Sequence, residues 1–252
     1  MRVLNTYPSY LFPKKMIIEI IISLFKNEKR RITSDSVRAI SGVLPPIQII
    51  DEKNIPNEGP GLVTLNHYSR PGFSIVWAAL GISAQLPEKH LWLMTNAWTN
   101  RTRGSDQLRT GITRVLFKRL AGMYGFITTP PMPPAQDELA ERVLSIRKLM
   151  RFINENPQTI LCIAPEGQDF EYGKIGKPPE GTGKFIFQIQ KKLKQINPVG
   201  VWEENGYLIL KFGEPYTLDQ SCKYKDSDME VSNLVMNKIS NLLPVRFLIN
   251  DH

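Results

Sequence analysis

The chain lacks the features that mark membrane-spanning and secreted proteins. A membrane-spanning helix needs roughly 20 apolar residues, and no run of that length is present. The apolar stretch near the amino terminus, residues 16–25, is interrupted by Glu19. A cleavable signal peptide is not expected, because Lys-Arg-Arg follows this stretch instead of the small residues of a cleavage site.

Cysteine and histidine are scarce. The chain has two cysteines and three histidines. Cys162 and Cys222 do not show the spacing of a zinc or redox site, and Cys162 lies in an apolar run typical of a small buried side chain. The histidines are scattered along the chain: His67, His90 and His252. We therefore expect no metal, no bound cofactor and a reducing, cytoplasmic setting.

Several common functional motifs are also missing. Residues 181–184, Gly-Thr-Gly-Lys, do not complete a phosphate-binding loop, because Pro178 and Phe185 occupy two of its required positions. No Gly-x-Ser-x-Gly turn is present to hold a nucleophilic serine. No module of interleaved basic and aromatic residues predicts binding of RNA or DNA, so we expect no nucleic-acid partner.

An excess of basic residues is present instead. Lysine and arginine number 32 against 24 acidic residues, a net charge of +8, which favours an anionic partner such as a phospholipid surface. Residues 1–44 form a basic and apolar amino-terminal segment. Its apolar stretch is either a helix packed on the protein or one lying in the membrane interface, and we favour the second reading.

The pattern of apolar residues predicts one α/β domain over residues 45–252. Predicted strands lie at 47–50, 62–65, 125–127, 159–164, 199–202 and 207–212, and predicted helices at 73–80, 112–124, 139–153, 185–193 and 229–243. Strands that alternate with helices indicate a layered, mixed and largely parallel sheet flanked by helices. Asn205-Gly206 predicts a tight hairpin between the last two strands.

Residues 85–111 show no clear periodicity. This segment, which carries Trp92, Trp98 and several arginines, has the composition of a lid or membrane-facing loop, and an irregular surface insertion explains it equally well. His90 is expected to be a solvated loop residue.

Two predicted strands end in polar turns. Asn66-His67 follows the strand at 62–65, and the turn at 165–169 follows the strand at 159–164. The carboxyl ends of parallel strands share one edge of a sheet, where α/β proteins place their chemistry. Histidine moves protons readily near neutral pH. The alternative, a histidine that only caps its own turn, stays open on this stretch alone.

Taken together, the short blocks of the chain resemble the glycerolipid acyltransferase family, which includes lysophospholipid acyltransferases. The blocks that carry the resemblance are Asn66–Ser69, Gly122–Ile127, Ala164–Gly167, Asn197–Gly200 and Phe212–Pro215. Their order across about residues 45–245 is more specific than any one of them.

The resemblance implies an enzyme that moves an acyl group from a thioester to a lipid hydroxyl. His67 would be the general base, and the thioester, acyl-CoA or acyl carrier protein, would be a co-substrate. The residues that the resemblance and their neighbourhood suggest for substrate binding are Asn66, Ser69, Arg70, Glu166, Gly167 and Lys184. It also implies a peripheral protein on the inner, cytoplasmic face of a membrane.

One departure from the family pattern concerns the partner of the histidine. The family has an aspartate five positions after the histidine, where this chain has Gly72. Asp169 or Glu171 from the neighbouring turn is one replacement, and we take Asp169 as the second catalytic residue. A backbone carbonyl is another replacement, and a lipid- or acyl-binding relative without turnover is a third explanation. The arginines of two family blocks are missing as well, which weakens the prediction of a phosphate-bearing acceptor.

Overall fold

The computed structural model describes residues 7–97, 106–131, 136–170, 173–218 and 227–248. Within these ranges the chain forms a large sheet with helices around it and a small two-stranded sheet near the amino terminus. The predicted α/β architecture is confirmed. Its centre is a strand that is buried along its whole length, Gly61–Leu65.

The strands, in chain order, are β1 Ser9–Tyr10, β2 Val43–Leu44, β3 Gln48–Ile50, β4 Gly61–Leu65, β5 His90–Thr95, β6 Ile127–Thr129, β7 Ile160–Ile163, β8 Gln195–Glu204 and β9 Tyr207–Phe212. The helices are α1 Lys14–Lys26, α2 Ile32–Ile40, α3 Val76–Ser83, α4 Asp106–Tyr124, α5 Leu139–Glu155, α6 Thr182–Gln190 and α7 Asp228–Ser240. Short 3-10 turns lie at Glu52–Asn54, Gln136–Glu138 and Val245–Phe247.

Among the described residues the large sheet has seven strands in the order β3-β9-β8-β4-β7-β5-β6. The five strands from β8 to β6 run parallel to one another. β9 is antiparallel to β8, and β3 is parallel to β9. The sheet is therefore mixed and largely parallel, and β4 lies between two parallel neighbours, β8 and β7.

The hairpin between β8 and β9 forms where the sequence predicts it. Asn205 and Gly206 have φ angles of 51° and 83°, the left-handed values that a tight two-residue hairpin turn requires. β8 continues beyond the tip of β4, because Leu65 pairs with Val199 while β8 extends to Glu204. The overhanging part of β8 therefore lies beside whatever follows β4.

The structure corrects the interpretation of residues 85–111. Part of this segment is the core strand β5, and another part begins α4, so a continuous loop is wrong. His90 is only 6% exposed, and its Nδ1 lies 2.7 Å from the carbonyl oxygen of Pro87. It is a buried strand residue, not a solvated one. Trp98, also expected in this segment, lies outside the described residues.

The amino-terminal segment forms two helices, α1 and α2, which ion pairs join to each other and a hydrogen bond joins to α4. Arg30 makes two bonds, of 2.6 and 2.7 Å, to the carboxylate of Asp35 in α2. The Tyr124 hydroxyl at the end of α4 donates to the same carboxylate at 2.9 Å. Arg38 pairs with Glu19 of α1 at 2.7 Å. Across the described ranges, no helix combines the length and the apolar character that crossing a bilayer requires.

Candidate active site

The tips of β4 and β7 meet at one edge of the sheet. The strands are parallel neighbours in which Gly61 pairs with Ile160 and Thr64 with Ile163. His67 lies three positions after Thr64, and Glu166 lies three positions after Ile163, so the two turns begin at the same level along the sheet. This arrangement places the Asn66-His67 turn beside the turn at 165–169, as the sequence predicts.

His67 and Asp169 lie together at this edge. Nδ1 of His67 is 2.9 Å from Oδ1 of Asp169. The distance lies within hydrogen-bonding range, and Nδ1 has no other hydrogen-bond partner among the described residues. The interaction with the His67 ring, opposed by partial burial, holds the pKa of Asp169 below its ordinary value, and Ser69 adds a further hydrogen bond. Asp169 is therefore ionised at neutral pH.

The two members of this pair differ in exposure. The side chain of His67 is 19% exposed, and that of Asp169 is 62% exposed. The ring is thus lodged in the turn, yet a small molecule can reach it from solvent. Glu171, the other carboxylate considered for this role, lies outside the described residues.

Glu166 lies beneath the turn. Its Oε2 accepts a hydrogen bond from the backbone N–H of His67 at 3.1 Å and its side chain also takes one from the backbone of Gly176. Burial raises the pKa of Glu166 to about 8, so the carboxyl is mostly protonated at neutral pH. Because the residue is fully buried, its carboxyl supports the His67 backbone from inside, and a direct contact with the acceptor is not what this geometry favours.

Asn66 joins the tip of β4 to β8. Its side-chain amide donates to the carbonyl oxygen of Val201 at 2.8 Å, and its side-chain oxygen accepts from the Val201 N–H at 2.7 Å. The residue is 1% exposed. Both of its polar atoms are therefore used inside the protein, and its part in the site is to fix the turn.

Arg70 and Tyr68 are held by a carboxylate that the sequence did not single out, Glu203 of β8. Arg70 forms a two-pronged ion pair with Glu203, through its Nε and, at 2.7 Å, through its Nη2. The Tyr68 hydroxyl donates to the same carboxylate at 3.1 Å. Because the guanidinium is committed to Glu203, Arg70 is not a free clamp for a phosphate-bearing substrate.

Gly72, the position at which the acyltransferase pattern predicts an aspartate, adopts a conformation that suits glycine. Its φ is +82°, and a Cβ there would lie 3.3 Å from Nη1 of Arg70. A larger residue is therefore strained in this backbone conformation. The turn after β4 cannot easily carry the carboxylate itself, and the turn after β7 provides one instead.

Two further predicted residues lie on exposed surfaces. Gly167 is exposed, with a φ of +65°, in the turn that leads to Asp169. Lys184 is exposed in the first turn of α6, where its backbone N–H donates to Asp228. Their contacts with substrates, like that of Ser69, stay predictions. Cys162 is buried in β7, and burial raises the pKa of its thiol, which makes it a poor nucleophile.

Comparison with known proteins shows a related fold. No protein-family model matches the chain, and a search of curated proteins finds no match. Among solved structures, the chain resembles the crystal structure of the 1-acyl-sn-glycerophosphate (LPA) acyltransferase PlsC from Thermotoga maritima, with a TM-score of 0.53, 13% identity and 90% of each chain covered. At this identity the likeness shows a shared fold.

Proposed function

We propose that the protein transfers a fatty acyl group from an acyl thioester to the hydroxyl group of a lysophospholipid or another lipid acceptor. The observation that carries this proposal is the 2.9 Å contact between Nδ1 of His67 and Asp169 at the shared edge of β4 and β7. A histidine beside a carboxylate in a solvent-reachable turn is the arrangement that a general base requires. The fold shared with an LPA acyltransferase supports the same reaction class.

The reaction follows from the two nitrogens of the ring. The Asp169 carboxylate accepts a hydrogen bond from Nδ1–H, which keeps that proton on Nδ1 and leaves Nε2 to take the proton of the acceptor hydroxyl. The acceptor oxygen attacks the thioester carbonyl carbon as its O–H bond breaks. The tetrahedral intermediate then loses the thiolate as the C–S bond breaks, and the thiolate takes the proton from Nε2. The chemistry is that of a serine–histidine–aspartate triad with the substrate hydroxyl in place of the serine.

The proposed acceptor carries a lipid hydroxyl, and it need not carry a phosphate group that an arginine of the protein would bind. Arg70, the basic residue nearest to His67 in sequence, is paired with Glu203. Two positions where the acyltransferase pattern has arginine hold Thr129 and Asp169. Lysophospholipids with and without a terminal phosphate therefore both belong in the acceptor panel, with acyl-CoA and acyl carrier protein as donors.

We also propose that the protein works as a peripheral protein on the inner face of a membrane. Apolar residues of α1 and α4, all but Leu24 exposed, line a groove of about 670 Å³. The residues of this apolar face are Ile21, Leu24, Phe25, Ile112, Val115 and Leu116. Lys14, Lys15 and Lys26 lie at the two ends of α1. An apolar face with basic ends is typical of a helix that lies in a lipid interface.

Release of free thiol tests the reaction directly. Purified protein is incubated with acyl-CoA or acyl carrier protein thioesters and each lipid acceptor, and the free thiol and the acylated product are measured together. We expect acceptor-dependent thiol release in the wild type, and a loss of at least about 10³-fold in His67→Ala. Unchanged release in a folded His67→Ala protein would exclude His67 as the base.

A second candidate function is binding of lipids or acyl chains without turnover. Gly72 is the observation that favours it, because the usual carboxylate is absent from the turn after β4. Binding of acyl-CoA or vesicles by a wild-type protein that consumes no thioester with any acceptor would support this candidate over the enzyme.

Vesicle binding tests the membrane proposal separately. Ile21 of this apolar face is 46% exposed on α1, and Ile21→Glu should weaken binding to vesicles with anionic lipid roughly tenfold, because it places a charge in the apolar face. Val245→Glu is the matched control, since Val245 is an exposed apolar residue in the carboxyl-terminal 3-10 turn. Equal binding of the two variants would contradict the proposed membrane face.

A further inference from the structure

The segment after β4 sends alternate side chains to different partners. Three of them contact β8: Asn66, Tyr68 and Arg70. The two between them, His67 and Ser69, meet Asp169 in the turn after β7. This alternation of contacts is what an extended stretch of backbone produces, since its successive side chains point in opposite directions. The contacts that fix the first set therefore also set the direction of the His67 ring.

Glu203 is the centre of the contacts on the β8 side. Its side chain has no exposed area. Its carboxylate receives the guanidinium of Arg70, the hydroxyl of Tyr68 at 3.1 Å and the hydroxyl of Tyr10 at 2.5 Å. A buried carboxylate with a bidentate arginine and two hydroxyl donors has a nearly fixed position. The Tyr68 and Arg70 side chains are fixed with it.

We propose that Glu203 is a positioning residue for His67, which directs Nδ1 of the imidazole toward Asp169 by holding Tyr68 and Arg70 against β8. Glu203 does not touch the ring or the reacting atoms, and it acts through the backbone of the turn. The inference rests on the proposed acyl transfer, since that reaction is the reason the direction of the ring matters. A loosely held turn would leave the His67–Asp169 contact only partly formed.

Residues near the amino terminus also contact Glu203 and Arg70. Tyr10 of β1 donates to Glu203, and the guanidinium of Arg70 lies 3.9 Å above the ring of Tyr7. Tyr10 also packs against Phe73 and Trp77 just beyond the turn, with ring centroids 5.5 and 5.3 Å apart. The support of the His67 turn therefore extends to the residues that directly precede α1.

A purely structural ion pair is the competing explanation, and the neighbour of Glu203 provides the matched control. Glu204 is the next residue of β8 and pairs with Arg246 at 2.6 Å near the surface. It is also an ion-paired glutamate on the same strand, and among the described residues it makes no hydrogen bond or ion pair with the segment 66–70. Glu203→Gln and Glu204→Gln therefore make the same chemical change one residue apart.

The ring protonation pattern of His67, measured by ¹⁵N NMR on histidine-labelled protein, tests the proposal without any need for turnover. A neutral ring that donates from Nδ1 to Asp169 carries its proton on Nδ1, whereas an unconstrained neutral imidazole favours Nε2. We expect the Nδ1–H tautomer in the wild type and in Glu204→Gln, and a shift toward Nε2–H in Glu203→Gln and in Asp169→Asn. A folded Glu203→Gln protein with the wild-type tautomer overturns the proposal.

Kinetics supply the second measurement. Glu203→Gln should lower kcat about ten- to a hundredfold with the donor KM changed less than about twofold, because misplacing a reacting group slows chemistry more than binding. Combined with Asp169→Asn, its effect should be much smaller than in the wild type, since both changes break the same contact. Full additivity of the two losses overturns the proposal.

These measurements separate the proposal from the proposed function. A wild type that forms the Nδ1–H tautomer but releases no thiol would contradict acyl transfer and leave the positioning role intact. If Glu203→Gln does not fold, Tyr68→Phe removes one bond to the same carboxylate and keeps the ring. A smaller shift in the same direction supports the proposal, and an unchanged tautomer in folded Tyr68→Phe overturns it.

Discussion

The two turns that meet at the edge of the sheet are held in different ways. The turn after β4 is bonded from the interior: Asn66 to the backbone of β8, the His67 N–H to Glu166, and Arg70 to Glu203. The turn after β7 ends in Asp169, whose side chain is 62% exposed and whose partners are His67 and Ser69. The histidine is thus fixed from within, and its carboxylate approaches from the surface.

This difference shows how a histidine can have a carboxylate partner although the turn that carries it has Gly72 and no aspartate. A residue at position 72 would have to adopt a left-handed conformation beside Arg70. A carboxylate on an adjacent parallel strand needs only the correct level along the sheet, which the pairing of β4 with β7 provides. The base and its partner can therefore come from different turns, provided that one of them is rigid.

The largest expected effect comes from removing the carboxylate on the exposed side. Asp169→Asn should lower the rate of thiol release about 10²- to 10⁴-fold, because the amide no longer favours the productive tautomer and does not stabilise the charged ring. Glu180→Gln, an exposed carboxylate on the same connection, is the control. A loss of less than about threefold in Asp169→Asn would show that the exposed turn is not the partner of His67.

A substitution in the buried turn after β4 should lower the free energy of unfolding. Asn66→Ala leaves the N–H and C=O of Val201 without side-chain partners and should lower the free energy of unfolding by roughly 2–4 kcal/mol. Asn156→Ala removes an exposed side-chain hydrogen bond at the end of α5 and should cost less than about 1 kcal/mol. Urea unfolding measures both, and equal losses would contradict the contrast between the buried turn and the surface.

The contrast between the buried turn after β4 and the exposed turn after β7 also predicts a pH dependence of the free energy of unfolding, through the buried Glu166. Burial raises the pKa of Glu166 from 4.5 to about 8, so the folded protein binds this proton more tightly than the unfolded chain. The resulting stability is present below pH 4.5 and is lost as the pH rises through 8. The slope is at most about 1.4 kcal/mol per pH unit.

Glu166→Gln should remove that slope, because the amide does not titrate. Urea unfolding of both proteins at several pH values between about 5 and 8 gives the difference in stability, in which the other titrating groups cancel. If the free energies of unfolding of the wild type and Glu166→Gln differ by the same amount at every pH, Glu166 is ionised in the folded protein.

The smallest expected effect comes from placing a carboxylate back in the turn after β4. Gly72→Asp should lower the free energy of unfolding by about 1 kcal/mol, because the position has a left-handed φ. It should not restore thiol release when combined with Asp169→Asn. Recovery of activity in that double variant would show that the two turns are interchangeable sources of the carboxylate.

Much of the sheet could be predicted because the signals were local. The core strands β4 and β7 are continuous apolar runs that end in polar turns, and Asn205-Gly206 marks the hairpin. β5 was missed because its six residues begin with His90 and stand in a segment that shows no clear periodicity. Its burial comes from β7 and β6 on either side, which no local pattern reveals.

The sequence predicted the histidine and the carboxylate of the candidate site, but it did not predict the residues that hold them in position. A histidine and a carboxylate at two strand ends are visible in the sequence, and Asp169 was one of the carboxylates considered. Glu203 was not singled out, because a glutamate beside Trp202 near a hairpin is typical of a solvated residue. Its burial depends on Arg70, which is 133 positions away in the chain, and no signal near Glu203 points to that partner.

The sequence by itself determined where β4, β7 and β9 end and which chemical groups follow them, because their apolar runs and turns are local patterns. Only the tertiary structure decided which ends become neighbours and which charges are buried together. These choices depend on strand order and register, which bring Glu166 to His67 across 99 positions and Glu203 to Arg70 across 133. The same pairing of β4 with β7 brings Asp169 to His67. Contacts of that kind arise from packing of the whole sheet.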